Sequence, residues 1–81
     1  MKRTEALDMV REAISQVIPD ADVAALGPDD AFRDVLEMDS LDFLSFVELL
    51  SERSGVRIED DDTPRLTTLS DSADFVVAHT Q

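Results

Sequence analysis

Ser40 is the residue of this chain whose neighbours suggest chemistry. It stands in Met38-Asp39-Ser40-Leu41-Asp42-Phe43-Leu44, where an acidic, loop-like segment gives way to a strongly apolar helical pattern. Asp39 and Ser40 are both favoured N-cap residues, and Asp42 follows Asp39 by three, a carboxylate version of a capping box. A serine at that junction presents its hydroxyl clear of the core. A capped helix start accounts for Asp-Ser-Leu by itself, so the tripeptide alone assigns nothing. The other reactive residues narrow the choice. His79 is the single histidine and lies near the C-terminus. Nothing close to it in sequence offers a nucleophile or an orienting group. There is also no glycine-rich oxyanion element, so a small hydrolase built on Ser40 or His79 lacks its constellation. Glu59-Asp60-Asp61-Asp62 is a run of acids without the alternating ligands, central glycine and terminal glutamate of a calcium loop. It reads as a solvated acidic turn that opens a short helix, and no metal site is expected. With no cysteine, disulfides, thiolate metal sites and thiol nucleophiles are excluded.

Charge points to a kind of partner. The chain of 81 residues has a net charge of −12, and residues 20–62 carry fourteen acids against three bases. Such a field repels nucleic acid and anionic membranes and steers basic partners towards itself. Solubility alone is the plainer explanation of acidic residues; their concentration around one capped serine favours steering. No apolar run reaches transmembrane length, and Met-Lys-Arg-Thr-Glu-Ala-Leu lacks the apolar region of a signal peptide. A cytoplasmic, free-standing monomer is expected.

The elements that must position Ser40 follow from hydrophobic period. Residues 4–18 predict an amphipathic helix, with Leu7, Val10, Ile14, Val17 and Ile18 on one face, Thr4 as cap and Pro19 as stop. Residues 19–39 form a long connection with a Gly27-Pro28 turn and apolar anchors at Val23, Leu26, Phe32, Val35, Leu36 and Met38; a helical turn is expected near 30–36. Residues 40–54 predict a second helix with Phe43, Phe46, Val47 and Leu50 as its core stripe, and Gly55 ends it. Leu41, Leu44 and Glu48 lie on a neighbouring face beside Asp42 and Ser45, which is either a docking surface or the edge of the core. Val56-Arg57-Ile58 anchors a crossing loop, and Thr63-Pro64 allows only a short helical piece before Leu66. The last helix is capped by Ser70 or Thr68 and buries Leu69, Ala73, Val76 and Val77, with Phe75 at the side. The expected fold is all-α: a small four-helix bundle of three main helices and one short third helix, with a long first loop, in a single domain over 1–81.

These landmarks together resemble the acyl carrier proteins over nearly the whole chain. An N-terminal helix and a long loop lead to Asp39-Ser40-Leu41, which opens an acidic helix. Val56-Arg57-Ile58-Glu59-Asp60 resembles the family's approach to its short third helix, and Leu66-Thr67-Thr68-Leu69 its approach to the last one. The resemblance implies that Ser40 carries 4′-phosphopantetheine, with Asp39 and Leu41 flanking the attachment point and Asp39 near a transferase's magnesium. It implies a carrier and not an enzyme. Bulky Met38 stands where the family often has a small residue, and Ser45 where it often has a glutamate. The histidine or glycine pair that often precedes the serine of peptidyl carriers is absent.

The resemblance also explains how a chain without cysteine takes part in thioester chemistry: the thiol belongs to the arm. A helix start offers exposure, free N–H groups and the positive end of the dipole, all suited to a phosphodiester on Ser40. No base lies near Ser40, so activation of the hydroxyl falls to the phosphopantetheinyl transferase. The implied partners are that transferase and acyl-activating, ketosynthase or acyltransferase enzymes with basic docking patches, which would read Leu41, Asp42, Leu44, Ser45 and Glu48; no nucleic acid and no membrane insertion are expected. The expected function is a stand-alone acyl carrier in fatty acid, polyketide or related biosynthesis. An aminoacyl or peptidyl carrier, and an unmodified carrier-like acidic interaction module, are the alternatives.

Overall fold

The computed structural model describes residues 1–80. Helix α1 spans Arg3–Val17, α2 Phe32–Val35, α3 Ser40–Ser54 and α4 Leu69–His79, with 3-10 segments at Val23–Ala25 and Asp60–Arg65. No strand forms among the described residues; Ala31 and Thr68 make one isolated antiparallel bridge. The fold is therefore all-α, as its hydrophobic period predicts. The short third helix of the bundle is the 3-10 segment Asp60–Arg65, which accommodates Pro64 inside a single tight piece. The helical turn expected in the first loop is α2.

Helix α1 packs against both α3 and α4. Its buried residues are Ala6, Val10, Ala13 and Ile14, while Leu7 and Val17 are only partly buried. The buried stripe is thus turned towards two alanines. Ser72 and Ala73 are fully buried on α4, and small side chains on facing helices let their backbones approach closely. Helix α1 also begins before Thr4, with Lys2 at the N-cap and no side-chain cap bond. Arg3 holds this end instead: its Nε donates to Asp74 of α4 at 2.8 Å and its guanidinium also reaches the Ser70 hydroxyl. On α4, Thr68 is the cap, accepting from the Asp71 N–H at 2.9 Å. Phe75 is buried and Val77 only partly so, which reverses the expected order. The Phe75 ring and Val76 reach the core, while Val77, two positions beyond Phe75, is turned towards its edge.

The long connection is fastened at both its middle and its end. Gly27 N–H donates to the Asp30 carboxylate at 2.8 Å, and Ser70 N–H donates to the Pro28 carbonyl at 2.9 Å. Leu26, Phe32 and Met38 are buried. Val35, expected as an anchor, is 57% exposed although it follows Phe32 by only three residues; the single turn of α2 brings Phe32 to the core and leaves Val35 at the rim. The Phe32 ring meets Phe46 edge-on, with centroids 5.1 Å apart, so α2 is pinned to the middle of α3.

Between α2 and α3 the chain reverses through Glu37, whose φ is 53°. Met38 N–H donates to the Arg33 carbonyl at 2.8 Å and Glu37 N–H to the Asp34 carbonyl at 3.3 Å. This is the bonding pattern of a Schellman turn, with glutamate in the left-handed position that glycine usually fills. A left-handed L-residue costs about 1–2 kcal/mol, and a glycine there forfeits about 0.4–1 kcal/mol through the unfolded chain. Glu37→Gly is therefore expected to raise stability by up to about 1 kcal/mol. A β-branched Glu37→Val is expected to lower stability, with both effects read from urea denaturation midpoints.

Candidate functional site

The α3 N-terminus is built locally. Asp39 is extended, and its carboxylate accepts the Asp42 N–H at 2.8 Å. The first intrahelical bond runs from Phe43 N–H to the Asp39 carbonyl at 2.9 Å. The Ser40 and Leu41 amides thus precede the ladder, as the first donors of any helix do. The expected capping box is half made at Asp39: the carboxylate of Asp42 does not return to the Asp39 N–H. The return bond missing at Asp39 is made at the short third helix, where the Glu59 N–H donates to the Asp62 carboxylate at 3.1 Å.

Ser40 is the first residue of α3 and is exposed. Among the described residues its hydroxyl has no hydrogen-bond partner, so the fold makes no use of it. Asp39 is exposed as well, and Met38, just before it, is buried. The chain therefore enters α3 with one residue locked into the core and the next two open to solvent. His79 is far along the chain and engaged elsewhere: its Nδ1 lies 2.8 Å from the Phe75 carbonyl and its ring stacks on Phe75. It is not brought to Ser40. Among the described residues no cluster of His, Asp or Glu is arranged to hold a metal ion.

Beyond Ser40, α3 turns an unusual face outwards. Leu41 is 75% exposed and Leu44 52%. Ser45 and Glu48 are exposed, and Asp42 is half-buried. Exposure takes both leucines out of the core. Phe43, placed in the core stripe by its spacing, is only partly buried, while Phe46, Val47 and Leu50 are buried as expected. A groove runs between α1 and α3 with Asp42, Ser45, Glu48 and Glu52 along one side and Gln16 and Val17 along the other. Glu48 and Glu52 also line a second groove, with Leu44, Ser51, Ile58 and Asp60. Glu52 and the α1 residues are additions to the face expected from sequence. Only the tertiary approach of α1 reveals Gln16 and Val17; Glu52 is one turn beyond Glu48 and is legible from helical spacing.

Comparison with known proteins decides the family. Residues 8–76 match the family model described as the phosphopantetheine attachment site. The chain belongs to the acyl carrier protein family. It is 33% identical to the acyl carrier protein of Rubrobacter xylanophilus, covering 98% of this chain and 96% of that one. It is 36% identical to the acyl carrier protein of Acidothermus cellulolyticus, covering 94% and 89%. The structure superposes on the acyl carrier protein of Enterococcus faecalis with a TM-score of 0.81 at 28% identity, over 99% of this chain and all of that one. Members of the family are carriers and not enzymes. They bear 4′-phosphopantetheine covalently, receive it from a phosphopantetheinyl transferase and interact with biosynthetic enzymes. An exposed, unpartnered hydroxyl at a helix start fits such a group: nothing has to be displaced, and the helix end tolerates an anion. No helix among the described residues is long and apolar enough to cross a membrane.

Because the Asp39 carboxylate satisfies one of the free donors of α3, Asp39→Ala is expected to cost about 1 kcal/mol. Ser40→Ala, which removes no hydrogen bond, should change stability by less than about 0.5 kcal/mol. Parallel chemical denaturation of the two variants checks the contrast.

Proposed function

We propose that Ser40 is the attachment point of 4′-phosphopantetheine, and that the protein carries acyl groups between the enzymes of a fatty acid, polyketide or related biosynthesis. The observation that carries this reading is the Ser40 hydroxyl itself, exposed and without a partner at the first turn of a helix whose cap is supplied by a different residue. The bound arm supplies the thiol on which an acyl group rides as a thioester. The protein's own residues do the rest. Asp39 holds the helix start so that the hydroxyl is presented at a fixed place. Leu41 flanks it as an exposed apolar contact. Leu41, Asp42, Leu44, Ser45 and Glu48 form the face that partners read, two apolar contacts beside a row of acids. A partner's basic patch would be drawn to this face at long range and would bury the leucines on contact.

This reading takes residues 1–81 as one carrier domain acting as a monomer in the cytoplasm. An aminoacyl cargo would use the same attachment chemistry. Against an unmodified interaction module stands the serine: an acidic docking surface has no need of a free hydroxyl at that position.

Two measurements test it. Incubation with a broad-specificity phosphopantetheinyl transferase, magnesium and coenzyme A is expected to add the phosphopantetheine mass to the wild type and nothing to Ser40→Ala. An increment on the alanine variant, or none on a folded wild type with several transferases, would sink the assignment. Reversing Asp42 and Glu48 to Lys is expected to slow loading roughly tenfold at low salt, with the difference shrinking as salt screens the field. Equal loading rates at low salt would remove the steering role of these two acids.

A further inference from the structure

Arg33 is set apart from the other cations of the acidic middle of the chain. Residues 20–62 contain three basic side chains: Arg33, Arg53 and Arg57. Arg53 pairs with Glu12 at 3.1 Å and Arg57 with Glu59 at 2.7 Å. Among the described residues Arg33 has no carboxylate within salt-bridge distance, although Asp34, Glu37, Asp39 and Asp42 all lie close to it in sequence. Its guanidinium instead lies over the Phe43 ring, 4.5 Å from the centroid. That contact uses the flat face of the guanidinium and leaves its edge N–H donors unspent.

The position of this free fork matters. Phe43 follows Ser40 by three residues in the same helix, and residues so spaced are neighbours on one face, about 5–6 Å apart at Cβ. A group attached to Ser40 and laid along that face passes over Phe43 and meets Arg33. There it also meets a cleft of about 430 Å³, to which Arg33, Met38 and Phe43 contribute from the α2–α3 side and Thr63, Pro64 and Thr67 from the 3-10 side. The Thr63 and Thr67 hydroxyls donate to the carbonyls of Asp60 and Pro64, which leaves their oxygens able to accept from amide N–H groups.

We propose that Arg33, held over Phe43 one turn from Ser40, is a positioning residue that binds the phosphodiester of the attached arm. The chemistry is that of an anion placed among carboxylates. Loading adds a negative charge to the most acidic part of the chain, and of the three basic residues in 20–62 Arg33 is the one without a carboxylate partner among the described residues. A guanidinium is suited to phosphate because two N–H groups can donate to two oxygens at once. The paired state fixes the direction in which the arm leaves Ser40 and starts it towards the threonine-lined cleft. The charge count around Ser40 makes Arg33 conspicuous in the sequence, but its stacking on Phe43 is a tertiary contact that spacing does not reveal.

This inference rests on attachment at Ser40, and the experiment separates the two. Apo and loaded protein, with loading established by intact mass, are compared by the arginine Nε–Hε correlation spectrum and by the phosphorus resonance of the phosphodiester. The Arg33 Nε–Hε signal is expected to shift on loading while those of Arg53 and Arg57 stay in place. The phosphorus resonance is expected to move in Arg33→Met, to move in the same direction in Phe43→Ala, and to be partly restored in Arg33→Lys. High salt should bring wild type and Arg33→Met together. Full loading by mass with an unmoved Arg33 signal, or with one phosphorus resonance shared by wild type and Arg33→Met, overturns the role of Arg33 and leaves Ser40 standing. Absence of the mass increment overturns the attachment itself.

Discussion

The place of Ser40 in space depends on the seat of the Phe32 ring against Phe46. A connection as long as residues 18–31 closes cheaply, since loop-closure entropy grows only slowly with length. Holding it in one conformation is another matter, at about 1–2 kcal/mol of backbone entropy for each ordered residue. Burial must offset that cost, and a fully buried phenylalanine contributes about 1.5–3 kcal/mol. From Phe32 onwards little is left free. The single turn of α2 leads into the left-handed Glu37, Met38 is buried, and Asp39 caps α3. The hydroxyl of Ser40 is therefore fixed relative to the core by eight residues of which two, Phe32 and Met38, are anchored in it. Shifting the Phe32 ring would swing the helix start without touching it.

Electrostatics works in the opposite sense and has to be contained. A net charge of −12 on 81 residues repels itself. Two of the ion pairs tie helices together away from the α3 face: Arg3 joins α1 to Asp74 of α4, and Arg53 joins α3 to Glu12 of α1. Both are exposed, and such pairs contribute about 0.2–1 kcal/mol. Their larger effect is on distribution. They use basic residues to stitch the bundle, and Asp42, Glu48 and Glu52 are left without basic neighbours within salt-bridge distance among the described residues. The acidic face is tolerated because apolar burial holds the bundle, and it stays available to an oppositely charged surface for the same reason.

What could be read from sequence divides by range. Helix α3, its Asp39 cap and its Gly55 stop depend on residues within a few positions of one another, and all three are legible. So are the existence of α1 and α4 and the acidic character of the α3 face. The misplaced details are tertiary. Ala6 and Ala13 carry too little apolar signal to outweigh Leu7 and Val17 in a periodic pattern, yet close helix packing selects them. Val35 looks like an anchor because it is apolar, and it is exposed because α2 shows the core only its Phe32 side. Leu41 and Leu44 had no unique reading, since periodicity places residues on faces but does not say whether a neighbouring helix covers the face. Glu37 gave no warning at all: glutamate is seldom found at positive φ, and only the bonds from Met38 and Glu37 back to α2 require it there. The start of α3 was more legible than its surroundings because a capped helix end is a local device.

That locality has a functional logic. A carrier must be met by several enzymes in turn, so the group that is modified should contribute little to the fold. Asp39 and Ser40 divide the work between adjacent residues: the carboxylate closes the helix start, and the hydroxyl is left without any structural task. If the serine itself were the cap, attaching a phosphodiester would take away a hydrogen bond and loosen the turn that presents the arm. With aspartate as the cap, a group attached at Ser40 would leave the helix end closed. The same separation holds one turn further on, where Phe46 and Val47 face the core while Leu44 and Glu48 face outwards. The residues that hold the bundle are thus confined to one side of α3, so the outward side is free to vary without weakening the bundle behind it.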